Sequence, residues 1–212
     1  MTDDKFTFPI LTKDVPLIGR DEIMNKVWSN LTKQSPDNLS IVGPRYVGKT
    51  VLLQALRQRA EQDDSFDLVV YWELSYDTPQ SNKEFAEKLC QQVSSAMRRA
   101  SSGDYNEYLK ELDKYQNLQT LKEVMDFMEE EHKSALVIWD GFDKALDQGK
   151  LSAQLFGELR SLFYGKKHYL VTATRATNTE LARSPEIQDS PLWNILNQVT
   201  MSIFNENDLN SM

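Results

Sequence analysis

The chain has 212 residues, of which 40% are apolar and 26% charged, so its composition is that of an ordinary globular protein with one domain, or one domain and an appendage. The formal net charge of -8 disfavours a general nucleic-acid binder, because affinity for phosphate backbones comes from clustered Lys and Arg, and leaves only a local basic groove open. No apolar run has the roughly 18 to 20 residues of a membrane helix, and the first residues lack the features of a signal peptide, which predicts a cytoplasmic protein without a membrane partner.

The first predicted unit is a strand, a glycine loop and a helix. A short apolar run at 38–43 ends in glycine, and residues 49–62 repeat apolar side chains at helical spacing. A second strand at 67–74 is followed by Ser81, which is a favourable N-cap for the next helix. Cys90 lies within that helical pattern, where we expect a small buried side chain and not a catalytic thiol.

The middle of the chain carries a polar stretch and a third strand. Residues 101–118 are polar and rich in tyrosine without an obvious core face, which predicts an exposed helical insertion. Residues 120–133 have a helical pattern in which Thr120 and Glu123 show the spacing of a capping box. This predicted helix leads into the apolar run at 135–140, which we interpret as a buried strand.

The last part of the chain continues the alternation of helices and strands. A helix is predicted at 151–165, a strand at 168–175 and a final strand at 199–204, after a looser segment with two prolines. Strands that alternate with helices form parallel βαβ units with right-handed crossovers. The sequence therefore predicts an α/β fold with three layers, in which helices cover both faces of a five-stranded parallel sheet.

A phosphate-binding motif follows the first strand. Residues 43–50 read GPRYVGKT and fit the pattern G-x-x-x-x-G-K-[ST], with the strand before and the helix after that the motif requires. Gly43 and Gly48 would let backbone N–H groups point at phosphate oxygens, beside the positive end of the helix. Lys49 would supply a charge between the β- and γ-phosphates, and the Thr50 hydroxyl could coordinate Mg²⁺. A chance match in a tight turn is the open alternative.

Two later strand ends supply further polar groups. Asp140 directly follows an apolar run, where a charge is hard to place, and is the candidate ligand of Mg²⁺, with Asp143 on the same turn. After the next strand, Thr172, Thr174 or Arg175 could reach the γ-phosphate or orient water. Since parallel strands end at one edge of a sheet, these groups are expected near the phosphate loop. An ordinary Asp-Gly turn, helix-capping threonines and a surface arginine are the alternatives.

With these strand ends, the chain resembles the P-loop ATPases of the AAA+ and STAND grouping, which includes NACHT proteins, over about residues 15–205. The stretch IWDGFD is similar to the NACHT form of the second nucleotide motif, LVTATR to the first-sensor strand, and PLIGR at 16–20 to the lead-in before the phosphate loop. The resemblance implies a central strand before the loop, binding of ATP or ADP with Mg²⁺, and a nucleotide-dependent switch. It also implies a protein partner or a homo-oligomer.

The motifs and the resemblance together assign the site residues. Catalytic roles go to Lys49, Asp140, Asp143 and Arg175, and the metal ligands are Thr50 and Asp140. The nucleotide contacts are Ile18, Gly19, Arg20, Gly43, Pro44, Arg45, Tyr46, Val47, Gly48, Lys49, Thr50 and Val51. The first three of these are implied by the resemblance alone, which places them beside the adenine.

Two departures from the family pattern change these expectations. Position 141 is glycine where AAA+ enzymes carry a glutamate that activates water, and Lys144 stands where NACHT sequences usually carry an acid, so hydrolysis is expected to be slow. The chain also stops where such proteins continue into helical domains, so it is either a minimal ATPase or a fragment. We expect the ATPase domain at 16–205, between an extension at 1–15 and a tail at 206–212.

Other functions compete with the switch. A DNA-associated AAA+ ATPase of the loader or transposition-regulator type would hydrolyse ATP faster with DNA, and nucleic acid is possible but not favoured because the chain is acidic. Basic pairs such as Arg57 with Arg59 are interpreted as solvated faces. A small-molecule kinase would need an arginine-rich lid, which the sequence lacks before the fifth strand. His132 and His168 lack the spacing of a metal site or a catalytic triad.

Overall fold

One five-stranded sheet organises the part of the chain that the computed structural model describes, residues 19–100, 105–146, 150–181 and 191–202. Its strands are Asn38–Val42 (β1), Leu68–Glu73 (β2), Ala135–Asp140 (β3), His168–Thr174 (β4) and Leu196–Thr200 (β5). The order across the sheet is β2-β3-β4-β1-β5, and all neighbouring strands are parallel. The predicted parallel sheet is confirmed, but the expectation of a central strand before the loop is wrong, because β4 is in the middle and β1 lies between β4 and the edge strand β5.

Helices cover both faces of this sheet. They are Asp21–Thr32 (α1), Lys49–Gln62 (α2), Asn82–Arg99 (α3), Asn106–Lys114 (α4), Leu118–Glu130 (α5), Phe142–Leu146 (α6), Ala153–Phe163 (α7) and Asn178–Leu181 (α8). On one face, α1 and α2 share a buried apolar cluster with the strands. On the other face, a second cluster joins the strands to α3, α4, α5 and α7. The three-layer prediction is therefore confirmed.

The burial of each strand follows from its place in the sheet. The interior strand β3 is buried along its whole length, which explains why its sequence is an unbroken apolar run. The edge strand β5 exposes Asn197 and Gln198, and these polar residues hid its start from the sequence analysis. The strand was predicted at 199–204 and begins three residues earlier, at Leu196.

The starts of two helices test the predicted caps. At α3 the cap is confirmed, because the backbone N–H of Glu84 donates to Ser81 Oγ over 3.1 Å. At α5 the predicted cap Thr120 is wrong. The helix begins at Leu118, and Asn117 Oδ1 accepts a hydrogen bond of 2.9 Å from the backbone N–H of Thr120. The asparagine three positions before the predicted helix satisfies the first turn, so Thr120 lies inside the helix and is buried.

The predicted exposed insertion packs against the core instead. Within it, α4 buries Tyr108 and Leu112, which are one helical turn apart, and Tyr105 just before the helix is buried as well. The Tyr105 hydroxyl donates to the backbone oxygen of Asp67 over 2.9 Å. One narrow apolar face among many polar residues explains why the sequence pattern indicated exposure. Residues 101–104 of this stretch lie outside the described residues.

Several predictions fall outside the described ranges. These are the extension at 1–15, the tail at 206–212, and Ile18 of the lead-in. Among the helices that the structure describes, none is long and apolar enough to cross a membrane. Cys90 on α3 is buried, as predicted, and burial raises the pKa of its thiol to about 12, which makes it a poor nucleophile.

Candidate functional site

The phosphate loop lies between the end of β1 and the start of α2. Tyr46 and Gly48 have left-handed backbone, with φ of 65° and 94°, and the turn at Gly48 leads into the first helical residue, Lys49. Gly48 thus has the backbone conformation that was predicted for it. The side chains of Pro44 and Arg45 are exposed, and the Tyr46 ring is 99% exposed. These three side chains of the loop therefore face solvent, whereas Gly43 and Val47 are buried.

Gly43 is required by a close approach and not by its backbone angle. A Cβ atom at this position would lie 2.3 Å from the carbonyl oxygen of Met201. The backbone N–H of Gly43 donates to the carbonyl of Thr174 over 3.2 Å, and that of Met201 donates to the carbonyl of Val42 over 2.6 Å. The first residue of the loop is thus held between the ends of β4 and β5. Met201 has no motif signature, so sequence analysis missed it.

Arg20 joins the lead-in to the loop. Its side chain is buried, and Nη2 donates to the carbonyl oxygens of Val47 at 3.2 Å and Ser202 at 2.8 Å. A buried guanidinium needs such acceptors, so these contacts fix the loop against the residue that follows β5. Gly19, beside Arg20, has a left-handed φ of 64°. The location of Gly19 and Arg20 next to an adenine stays a prediction.

Lys49 binds carbonyl groups of its own loop. Its Nζ donates to the backbone oxygens of Gly43 at 2.6 Å and Pro44 at 2.7 Å. Burial lowers the pKa of Lys49, and the negative charges of Asp143 and Asp140 oppose that shift. The ammonium group is therefore held inside the loop, close to both carboxylates that the sequence analysis assigned to the site.

Asp140 ends β3 beside the start of α2. Its side chain is buried and hydrogen-bonds to Thr50, and the Tyr71 hydroxyl donates to its Oδ2 over 3.2 Å. Burial raises the pKa of Asp140 despite these hydrogen bonds. A hydroxyl and a carboxylate that already touch form a donor set that fits Mg²⁺, which binds through few protein oxygens together with substrate phosphates. Val51, the next residue of α2, is half-buried.

Asp143 and Arg175 form an ion pair. Arg175 Nε donates to Asp143 Oδ2, and the Asp143 side chain is only 7% exposed. The pair links α6 to the end of β4, so the structure brings these two predicted residues together. The Thr174 hydroxyl donates to the backbone of Ala176 over 2.8 Å. Thr172 lies within the sheet, and its Oγ1 has no hydrogen-bond partner among the described residues, so it does not reach the sheet edge.

Glu73 and Tyr71 are site residues that the sequence analysis missed. Both lie on β2, where Glu73 is directly opposite Asp140 in the register of β2 and β3. Burial raises the pKa of Glu73, and the negative charge of Asp140 adds to the effect. The sequence signal that could have identified Glu73 is the one that identified Asp140, namely a carboxylate at the end of an apolar strand.

The sequence comparison with protein families matches the NACHT domain over residues 37–208. That range contains the phosphate loop, both carboxylates and Arg175. The chain belongs to the NACHT family. This NACHT chain is thus a nucleotide-binding P-loop ATPase module, and its family typically uses Mg²⁺. A search of curated proteins finds no match to it.

Solved structures share the fold of the NACHT chain. ORC2 of Aeropyrum pernix, solved as ADPNP–ADP complexes, aligns with a TM-score of 0.58 and 14% identity over 93% of this chain and 52% of its own. ORC1 of the same organism, in complex with DNA, gives 0.58 and 15% over 96% and 50%. A Walker-type ATPase of Pyrococcus abyssi gives 0.57 and 16% over 89% and 55%. This likeness concerns the fold alone, and the chain spans about half the length of each.

Proposed function

We propose that this NACHT chain is a Mg-ATP-dependent switch with slow hydrolysis, which controls a protein partner or the assembly of an oligomer. The main support for the proposal is that other groups of the protein bind the two cationic side chains at the site. Lys49 binds the loop carbonyls of Gly43 and Pro44, and Arg175 pairs with Asp143. Phosphate oxygens are strong acceptors for both kinds of cation. A triphosphate that binds these cations replaces the two hydrogen bonds of Lys49 in the loop and the ion pair of Arg175 at α6.

Each polar group has a role in this proposal. The backbone of the loop, the N-terminus of α2 and Lys49 bind the β- and γ-phosphates. Thr50 and Asp140 hold Mg²⁺, whose charge, when it is bound, stabilises the negative charge that develops during phosphoryl transfer. Arg175 approaches the γ-phosphate after it leaves Asp143. The site therefore has the groups for in-line attack by water on ATP, with ADP as the product.

The ion pair of Asp143 with Arg175 also offers a route for the switch. Both Phe142 and Ala145 of α6 are fully buried, so the helix packs in a defined position next to β4. Removing Arg175 from Asp143 takes away a charged contact of that helix and changes the surface around it. Segments that become ordered or disordered when a γ-phosphate binds or leaves commonly change how a protein binds its partner.

The charge distribution supports the switch over a DNA-dependent ATPase. In each of three basic pairs, Arg57 with Arg59, Arg98 with Arg99 and Lys166 with Lys167, one member forms an ion pair. Those contacts are Arg57 with Glu61, Arg98 with Asp113, and Lys166 with Asp126 and Glu129. Paired cations on an acidic protein leave little positive potential for a phosphate backbone. A cytoplasmic location stays a prediction.

The first experiment is calorimetric binding of Mg-ATP, Mg-ADP and Mg-GTP to the wild type and to Lys49→Ala. Loss of the charged hydrogen bonds of Lys49 is expected to weaken Mg-ATP binding by about 1.5–3 kcal/mol, roughly 10- to 150-fold in Kd. Lys83→Ala is the matched control, because Lys83 is an exposed lysine on α3 and its removal should leave Kd unchanged. Phosphate release is then measured with and without DNA at two salt concentrations.

The outcomes separate the alternatives. Tight binding that depends on Lys49, with slow turnover that DNA does not change, supports the switch. Turnover that rises with DNA and falls steeply with salt would instead favour the DNA-associated ATPase. A wild type that does not bind Mg-ATP, or a Lys49→Ala variant that binds like the wild type, would contradict the proposed nucleotide site.

A further inference from the structure

The position that carries a water-activating glutamate in AAA+ enzymes is closed to a side chain here. Gly141 has a left-handed φ of 68°, which disfavours any residue with a Cβ atom. A Cβ at this position would also lie 3.0 Å from Cβ and 3.4 Å from the backbone nitrogen of Ser75. The chain that continues from β2 therefore occupies the space that a side chain at position 141 would enter.

The same neighbouring strand brings a carboxylate to this place. Glu73, the last residue of β2, is directly opposite Asp140 in the parallel register. Side chains two residues apart on a strand share a face, and Tyr71 on that face reaches Asp140 Oδ2. This is also the face on which α2 packs, the helix that begins with Lys49 and Thr50.

Distances in the sheet place Glu73 within reach of the nucleotide site. Neighbouring strands are about 4.8 Å apart, and the glutamate side chain has one more methylene group than that of Asp140. Asp140 hydrogen-bonds to Thr50, so Glu73 lies on the strand next to the proposed position of the metal and on the same face of the sheet. A carboxylate on the neighbouring strand can act on the γ-phosphate through one intervening water.

Glu73 is also the carboxylate at this edge that other groups engage least. Asp143 is paired with Arg175, and Asp140 hydrogen-bonds to Thr50 and Tyr71. Glu73 has no ion-pair partner within the described ranges, and the Ser75 hydroxyl donates to its Oε1 over a long 3.4 Å. Its half-buried position allows contact with water.

We propose that Glu73 is the catalytic carboxylate that orients the attacking water in this chain, in place of the glutamate that position 141 excludes. The inference rests on the proposed function. The water oxygen forms a bond to the γ-phosphorus, the bond from that phosphorus to the bridging oxygen of ADP breaks, and the proton leaves through Glu73 to solvent. Asp143, for which the sequence analysis predicted a catalytic role, instead holds Arg175.

The test compares Glu73→Gln with the wild type in binding and in single-turnover hydrolysis. The amide keeps the shape but is a poor proton acceptor, so hydrolysis is expected to fall roughly 100-fold or more, while Mg-ATP and Mg-ADP bind at least as tightly as before. Glu123→Gln, at an exposed position of α5, is the matched control and should hydrolyse ATP like the wild type. Unchanged hydrolysis in Glu73→Gln would overturn the inference.

A second measurement separates a catalytic from a structural role. Glu73 and Asp140 are neighbouring like charges, so nucleotide-free Glu73→Gln should unfold at a temperature no lower than that of the wild type. A lower midpoint would assign Glu73 to the fold and overturn the inference. A wild type that binds Mg-ATP but releases no phosphate would overturn the role of Glu73 and leave the nucleotide site intact, whereas a wild type that binds no nucleotide would refute both.

Discussion

At the scale of single residues, the phosphate loop shows which site residues a sequence motif can predict. The spacing of the motif was sufficient to predict Lys49 and Thr50, and the apolar run before Asp140 was sufficient to predict that carboxylate. Glu73 and Tyr71 escaped prediction because their proximity to Asp140 depends on the register of two strands that are far apart in the sequence. Local patterns identify the residues of a loop but not the neighbours that folding brings to it.

Gly43 gives a prediction at this scale. Gly43→Ala is expected to destabilise the protein by about 1–3 kcal/mol, because the new methyl group would collide with the backbone of Met201. The same change at Gly157, inside α7, meets no atom within 4 Å and should stabilise the protein by about 0.5–1 kcal/mol. Denaturant unfolding of both variants measures the contrast, and equal effects would show that the contact with Met201 is not tight.

At the scale of elements, the predicted ends of helices and strands were accurate where a motif marked an end and inaccurate where a tertiary contact determined it. The predicted and observed ends of α2 agree, because the motif sets its start. The exposed insertion was a wrong prediction, since α4 is mostly polar and packs through one turn only. For α5, two residues could cap the helix, and the one outside the expected range does so.

The cap of α5 yields the prediction for this scale. Asn117→Ala should lower the stability by about 1 kcal/mol, because the backbone N–H of Thr120 loses its acceptor. Asn117→Asp should retain stability, since a carboxylate caps as well and its charge favours a helix N-terminus. Thermal unfolding of both variants checks this, and a loss of the same size in the aspartate variant would mean that capping is not the cause.

At the scale of the whole molecule, three strand ends that lie far apart in the chain converge at one edge of the sheet. The alternation of strands and helices predicted this convergence, because parallel strands end on the same side. The order of the strands could not be predicted from periodicity, since apolar runs alike in length form both interior and edge strands. The sequence likewise could not predict which polar groups become buried in the sheet, because their burial depends on the assembled fold.

His168 makes the global stability depend on pH. It is fully buried at the start of β4, with Nε2 2.7 Å from the backbone oxygen of Met125. Burial lowers the pKa of His168 from 6.5, against weaker opposite effects of that hydrogen bond and of Glu129 and Asp126. The unfolded chain therefore binds the proton first as the pH falls below about 6.5, and protonation favours unfolding.

The prediction is a loss of about 1.4 kcal/mol in the free energy of unfolding per pH unit below 6.5, until the pH reaches the lowered pKa of the folded state. His168→Asn should remove this slope, while other titrating groups contribute equally to both proteins. His132→Asn, which changes the only other histidine at a position with a left-handed φ of 62°, should keep it. A slope that persists in His168→Asn would contradict the assignment.

The contacts of Gly43 with Met201 and of Arg20 with Ser202 affect how the effects of substitutions in this chain are interpreted. The phosphate loop is held by two other stretches of chain, at Arg20 and at residues 201–202, and the second of these carries no motif. Because these contacts are made by the backbone, most substitutions at positions 201 and 202 keep them, but proline at position 201 removes the N–H that donates to Val42 and can displace the loop while every signature residue is intact. Variants of this chain are better ranked by contact with the loop than by distance along the sequence from it.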